Sequence, residues 1–414
     1  MTPSLKEMLS VDTLRSFERS TGPVTQAEML PAFVYSSEEF YENFEKDAIF
    51  THEWLCVGRE SWIPKNGDFF TTSYIREPLI VVRNDEGEIR CFSSVCQHRG
   101  MLVAEGAGNC TFFRCPYHHW VYDLDGALAG APEMRKSVGF DRKDVCLPSL
   151  KVERWNGFIF VNFDANAPAL GPRLARFDED FSNYELQQAY EPGHDRFSNL
   201  PWNWKVMFEN TNDGYHANRL HKGPLHDFCP SHLAKWKDYR EDDIAVIRYT
   251  GFTHIDAAFN PSLKCLLPIF PRLTEEERTR MIFINLPPTL WLACLPDQCF
   301  YFLIHPDGAN KCFIDAGPLY APKAPADPLW EHKRQVYRDI FQHFNDQDRY
   351  VDTLQQVGLN SRFAARGRVS HQEESSVRFG RWLVRRYAER WPTPVAAPGE
   401  RRETRASVGH PAQV

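Results

Sequence analysis

No stretch of this chain is apolar for long enough to cross a bilayer. Its most hydrophobic segment, Met281 to Ile304, is interrupted by Pro287-Pro288, Pro296 and Asp297, whereas a spanning helix needs about 20 largely apolar residues. The region after Met1 carries Lys6, Glu7 and Asp12 and has no apolar centre, so no secretory signal is read there. Basic excess is missing as well: 48 Lys and Arg face 55 Asp and Glu, a formal net charge of −7. That balance argues against nucleic acid and anionic membrane as partners. No glycine loop of the flavin- or nicotinamide-binding kind is evident, and no internal repeat. What remains is a cytoplasmic protein of ordinary composition. Its 414 residues, 43% of them apolar, suffice for two domains with sizeable cores. Eleven cysteines without an export signal point to reduced thiols and metal ligation rather than to a disulfide frame.

The cysteines have a pattern. Cys96-Gln97-His98 is followed after sixteen residues by Cys115-Pro116-Tyr117-His118. Two thiolates and two imidazoles delivered by two short loops match a Rieske [2Fe–2S] cluster, in which two Cys hold one iron and two His the other. Zinc is the competing occupant. Cys91 and Cys110 would complete a four-Cys set, and the two Cys and two His alone would make a zinc knuckle. Cys-x-His is an unusual zinc spacing, however, and both pairs sit in loops bearing Arg99-Gly100, Pro116-Tyr117 and Trp120. The cluster reading is preferred, with Cys91 and Cys110 as ordinary strand or loop residues.

Around these loops the pattern is one of short strands. Leu79 to Val82, an Asn84-Asp85-Glu86-Gly87 turn and Ile89 to Phe92 read as a hairpin. Trp120 to Tyr122, a Leu124-Asp125-Gly126 turn, and Phe158 to Val161 continue it, giving a small all-β domain over residues 52–165. Before it, residues 1–51 read as a helical segment belonging to the catalytic part. Ser36 with Glu39 is a plausible capping box there, and Phe40, Phe44 and Ala48 share a helix face. After it, residues 166–391 mix long helical patterns (Pro201–Leu220 and Asp327–Leu359) with strand candidates. The strands are expected at Ile244–Tyr249, Met281–Leu286, Leu290–Leu295, Cys299–Ile304 and Cys312–Ala316. Short connections imply an antiparallel sheet. Residues 392–414 read as a disordered tail. The fold class is therefore α+β.

A second dense cluster runs from Asn203 to His221. His216 and His221, five apart on an irregular helix, can face one point, and Asp213 lies one turn before His216. Two His and a carboxylate from elsewhere make the facial triad of non-haem Fe(II) oxygenases. By itself such a pair is more often a core or surface pair. Beside an electron-accepting cluster it becomes a destination for the electrons.

Together the two motifs, Cys-x-His…Cys-x-x-His and Asn-Trp-Lys-x-x-x-Glu-Asn-x-x-Asp-x-Tyr-His-x-x-x-x-His, resemble the catalytic α subunit of Rieske non-haem iron oxygenases. The resemblance runs from about Trp54 to Gly380. It implies a Rieske domain joined to a helix-grip catalytic domain whose antiparallel sheet is flanked by helices. A homotrimer is also implied, with or without a β subunit, in which one subunit's cluster feeds its neighbour's iron. Carried over, Cys96, His98, Cys115 and His118 bind the cluster, and His216 and His221 bind the mononuclear Fe(II). Asp213 resembles the carboxylate that bonds His216 and the neighbour's His118, and Asn210 lies near the iron. Asn345-Asp346-Gln347-Asp348-Arg349-Tyr350 before Gln356-Val357-Gly358-Leu359 resembles the family's late helix. Its register favours Asp348 as third iron ligand, with Asp346 as competitor. His119 stands where the family commonly has Gly, and its side chain is expected to point away from the cluster.

The chemistry so implied uses O2 and two electrons that pass from NAD(P)H through a separate reductase, with or without a ferredoxin. The first expectation is hydroxylation or dihydroxylation of an aromatic or related hydrophobic compound. The second is oxidation of a quaternary ammonium compound of the betaine, choline or carnitine type, which the Asn-Asp-Gln-Asp-Arg stretch also resembles. Asp213, where some of those enzymes have Glu, tilts the expectation to the first. A non-enzymatic electron carrier is the third.

Overall fold

The computed structural model describes residues 3–221 and 224–392. The tail expected over 392–414 lies, after its first residue, outside them. Strands β1 (Leu55–Arg59), β2 (Asp68–Tyr74), β3 (Glu77–Arg83), β4 (Ile89–Ser93) and β5 (Ala107–Asn109) are followed by β6 (Phe113–Arg114), β7 (Val121–Tyr122) and β8 (Leu128–Gly130), and then by β9 (Ser149–Trp155) and β10 (Phe158–Asn162). One sheet runs β1-β10-β9-β4-β3-β2-β5, and β6, β7 and β8 form a small second sheet. The expected β3–β4 hairpin is present, with Gly87 at φ +81° in its turn. The two Cys/His loops lie after β4 and between β6 and β7. Between the sheets, Ile80, Val82, Phe92, Phe113, Trp120 and Tyr122 form a separate apolar core.

The larger sheet holds β11 (Asp195–Leu200), β12 (Ala234–Trp236), β13 (Val246–Gly251), β14 (Arg280–Leu286), β15 (Leu290–Cys294), β16 (Gln298–Pro306) and β17 (Cys312–Tyr320). Its order is β11-β17-β16-β15-β14-β13-β12, with every neighbouring pair antiparallel. The five strands expected from apolar runs are all here, the last extended to Tyr320. The two edge strands were not anticipated, because Asp195–Leu200 and Ala234–Trp236 lie at the rim, largely outside the core, and lack such runs. Successive side chains alternate between faces, and both faces of β14 to β16 are covered. Ile282, Ile284, Leu292, Tyr301 and Leu303 pack with Phe158, Phe160 and the helix Leu170–Phe181. Phe283, Trp291, Phe300, Phe302 and Ile304 face the other way, into the core that also holds Phe208, Phe344 and Phe379. This second face bounds the candidate site. The strands read as continuous hydrophobic runs for that reason.

Helices Trp330–Leu359 and Glu374–Arg390 close the structure. The N-terminal segment packs on the last of them: Phe40 and Phe44 both touch Tyr387, with ring centroids 5.6 Å apart. Lys205 and Glu45, both fully buried, pair there at 2.6 Å. No helix among the described residues is long and apolar enough to cross a membrane.

Two local expectations need correction. Ser37, not Ser36, caps the helix that begins at Glu38. Its hydroxyl accepts the Phe40 N–H at 3.2 Å, while the Ser36 hydroxyl donates back to the Ala32 carbonyl. Phe40, Phe44 and Ala48 are nonetheless buried together. The single helix expected over Pro201–Leu220 is two, Trp204–Asn212 and Gly214–Ala217. Asp213 interrupts it, because its carboxylate accepts the N–H groups of Tyr215 and His216 and so caps a new helix. Such a cap contributes about 1 kcal/mol and competes with helix continuation.

Candidate metal centres

Both Cys/His loops close by the same hydrogen bonds. The Cys96 N–H donates to the Met101 carbonyl and the Cys115 N–H to the Trp120 carbonyl, each at 2.8 Å. Four residues after each Cys the chain turns left-handed, at Gly100 (φ +75°) and His119 (φ +55°). This backbone region favours glycine, so His119, the departure from the family pattern, occupies a position where a glycine would sit without strain. His119 itself is exposed.

The four expected cluster residues are brought together. Cys96 and Cys115 are buried and their thiols interact. The rings of His98 and His118 stand at 74° with centroids 4.6 Å apart, and the Nδ1 atom of each is buried without a partner. Two orphaned acceptor atoms beside two thiols are what a bound cluster would satisfy. No three of the four donors fall within 4.8 Å of one another, as ligands of a single zinc ion would. The set fits two irons. Burial pushes the Cys96 thiol up, so a thiolate there would need the charge of a bound metal to form. Desolvation, with His98 and Arg99 nearby, lowers the His118 pKa, which favours the neutral ring that a metal ligand would need. Trp120 stacks on His98 at 4.7 Å. The Gln97 N–H donates to the Tyr122 hydroxyl oxygen at 3.0 Å, and that hydroxyl lies 3.3 Å from Cys96 Sγ, to which it would donate when the sulfur is a bound thiolate.

In the second centre, Nε2 of His216 and Nε2 of His221 are 3.3 Å apart. Oδ1 of Asp348 lies 3.1 Å from the second and 3.6 Å from the first. Adjacent ligands held about 2.1 Å from a metal are about 3.0 Å apart, so this triangle is sized for one ion. The outer nitrogens are held too. His216 Nδ1 meets Asp213 Oδ2 at 3.1 Å, and His221 Nδ1 meets Gln347 Oε1 at 2.8 Å. Both partners accept, so each Nδ1 carries the hydrogen and each Nε2 is left with a lone pair that would face a bound ion. Burial opposes a charged His221, but Asp348 and Gln347 outweigh it and raise its pKa. The same field favours a bound cation.

The other candidates separate cleanly. Asn210 donates weakly to Asp348 at 3.4 Å and to Asp352 at 3.1 Å. Asp346 stays on the exposed side of its helix, accepting from Gln342 and facing Arg349. Sequence reasoning missed Gln347, Asp352 and Arg248. Asp352 is buried one turn beyond Asp348 and, through burial and that neighbour, is held well above the carboxylate range. The i,i+4 spacing of Asp348 and Asp352 was the available signal.

The triad opens on a cavity of about 110 Å³. Phe259, Phe283, Trp291, Phe300, Phe302, Phe341 and Phe344 line it, and the polar groups apart from the triad include Ser231, Arg248 and Thr250. The rings interlock: Trp291 stacks on Phe302 at 4.9 Å, and Phe300 meets Phe341 at 4.8 Å.

A two-Cys, two-His cluster site and a two-His, one-carboxylate site on these folds define the class of Rieske-type oxygenase components. Comparison with known proteins agrees. The model described as a Rieske [2Fe-2S] domain matches residues 53–151, and that of the ring hydroxylating alpha subunit (catalytic domain) matches residues 184–389. The glycine betaine monooxygenase oxygenase subunit of Chromohalobacter salexigens is 35% identical over 367 residues, covering 80% of this chain and 79% of that one. The carnitine monooxygenase oxygenase subunit of Acinetobacter pittii is 35% identical over 200 residues, 47% of this chain; the match spans only about half, 52%, of that relative's length. A solved quaternary ammonium Rieske monooxygenase aligns with a TM-score of 0.75 over 89% of this chain and 98% of that one, at 23% identity, a likeness of fold. The chain belongs to the family of Rieske non-haem iron oxygenase α subunits.

Proposed function

We propose that this chain is the terminal oxygenase component of a multicomponent system and acts on a quaternary ammonium compound of the betaine or carnitine type. The cavity carries this reading: two imidazoles and a carboxylate converge on a chamber walled by seven aromatic rings. The negative faces of such rings attract a desolvated cation by roughly 2 kcal/mol, and a trimethylammonium group has no hydrogen bond to lose on entering. The glycine betaine and carnitine monooxygenase relatives support the same choice. Asp213, which tilted the sequence expectation towards aromatic substrates, is the weaker signal. It touches His216 on the ring edge away from the triad and so reports on that histidine rather than on the substrate.

When bound, the cluster and iron would supply single-electron transfer and O2 activation. With two electrons and two protons, O2 yields one water and one hydroxyl on an N-methyl or adjacent carbon; a carbinol formed on an N-methyl group loses formaldehyde. The chain's own residues orient and enclose. Gln347 and Asp213 fix the two rings, and the aromatic wall keeps the substrate dry. His118 and Asp213 are each only partly buried, as electron passage between subunits of a homotrimer, fed by a separate reductase, would require. An aromatic substrate is the second reading, because the same rings would stack on it.

The test is anaerobic purification with iron and sulfide analysis, then O2 and NADH consumption with a surrogate reductase. Glycine betaine, carnitine, choline and a neutral aromatic hydrocarbon are compared, with product identification. A quaternary ammonium compound should stimulate coupled O2 uptake. Stimulation by the hydrocarbon alone, with a diol or phenol formed, would reinstate the aromatic reading, and zinc in place of iron and sulfide would remove both.

A further inference from the structure

Arg248 sits on β13 inside the aromatic cavity with only 7% of its surface exposed. Its guanidinium lies 4.0 Å over the Phe283 ring. Nη1 donates to the Asn212 carbonyl at 2.9 Å, a group freed where the helix breaks at Asp213. Nε is buried without a partner, and no protein acceptor meets Nη2 among the described residues. No carboxylate lies within 4 Å of it among those residues either. Burial has pushed its pKa down to about 10, so it remains charged at neutral pH.

An unpaired buried cation is costly in an apolar chamber, and its natural complement is an anion that the chamber receives. The surroundings fit that role. Ser231 and Arg248 flank the backbone of Gly214 together, each within 3.5 Å of where a Cβ would stand. Thr250 follows on the same face of the strand, two residues along. Ser231 and Thr250 are each over nine-tenths buried and line the same cavity. Asp213 is a carboxylate whose charge acts on Arg248. Its oxygens, however, are taken up by the Tyr215 and His216 N–H groups and by the His216 ring.

We infer that Arg248 is the anion receptor of the substrate cavity, with Ser231 and Thr250 beside it, and that the substrate carries a carboxylate. This deepens the quaternary ammonium reading: the rings take the cationic end and Arg248 the anionic end of a zwitterion. The carboxylate itself could also belong to an aromatic acid, and the experiment separates the two.

Dissociation constants are measured on the full-length, cluster- and iron-loaded protein for glycine betaine, its methyl ester, choline and benzoate. In the wild type, the ester and choline should bind at least roughly tenfold more weakly than glycine betaine, since a lost charge-assisted hydrogen bond is of that order. R248Q should weaken glycine betaine by a similar factor and leave choline within about twofold. R248K should restore part of the loss. The comparison of glycine betaine with its ester needs no variant and holds even if R248Q fails to fold. Equal binding of acid and ester, or equal losses for glycine betaine and choline in R248Q, overturns the inference. Arg248-dependent binding of benzoate without glycine betaine would keep the receptor and overturn the quaternary ammonium reading alone.

Discussion

Oδ2 of Asp213 stands 3.1 Å from Nδ1 of His216, and the other oxygen of the same carboxylate caps the helix that carries this histidine. One side chain thus sets both the backbone and the ring orientation of a candidate iron ligand. Replacing Asp213 with Ala removes the cap and frees the ring to turn. An outer partner of a metal-bound histidine is worth about 10- to 100-fold in metal affinity or activity. Asp213→Ala should therefore lose at least that much substrate-stimulated O2 uptake while its cluster spectrum stays intact. Asp213→Asn, which can still accept both N–H groups, should fold better than Ala but lose comparable turnover. Full turnover in either variant would remove Asp213 from the site.

Much of this centre was legible in the sequence, and the reason is local spacing. Cys96/His98, Cys115/His118 and Asp213/His216 are each within a few residues, so the chain alone brings their donors close. The five inner strands were legible because both faces of the sheet are buried, which leaves uninterrupted apolar runs. The rest depends on tertiary contact. Gln347 is 126 positions from the ring nitrogen it holds. Arg248 looks in sequence like any strand arginine, and only the packing of Phe283 and the break after Asn212 make it a buried, unpaired cation. The edge strands β11 and β12 escaped because they pair at the rim and carry polar residues.

Asp348 and Asp346 share a helix but are two positions apart, which places them on different faces. Asp348 faces His221 at 3.1 Å, whereas the Asp346 side chain is 59% exposed. Asp348→Ala should lose most of the mononuclear iron, measured per chain against the cluster iron. Asp346→Ala should retain it, with a stability change within about 0.5 kcal/mol, as for other exposed surface positions. The reverse pattern would move the third ligand to Asp346.

The Tyr122 hydroxyl lies 3.3 Å from Cys96 Sγ, and because a cluster-bound thiolate has no hydrogen to give, the hydroxyl would be the donor to it. A hydrogen bond to a ligand sulfur stabilises the more negative, reduced cluster and raises its potential. Tyr122→Phe removes the donor and leaves the ring in place. If the bond differs by about 1 kcal/mol between redox states, the one-electron potential should fall by roughly 40 mV. Redox titration of the visible spectrum measures this, and an unchanged potential would mean that the hydroxyl does not reach the sulfur.

Glu209 is buried beneath the second centre, accepts the Tyr35 hydroxyl at 2.6 Å on Oε1 and has no partner on Oε2. Burial raises its pKa from the usual 4.5 to about 8, against the opposing pull of Tyr35 and Lys205. Between those two values the folded protein keeps a proton that the unfolded chain has released. The native state then binds more protons, so stability falls as pH rises through this window, by on the order of 1 kcal/mol per pH unit. Glu209→Gln cannot ionise and still offers Oε1 to Tyr35. The unfolding midpoint of the Gln variant should therefore gain on the wild type as pH rises from 5 to about 8, and the gap should level off above that. Chemical unfolding of both proteins across this range measures the gap. A difference that stays constant with pH would show that Glu209 is ionised throughout.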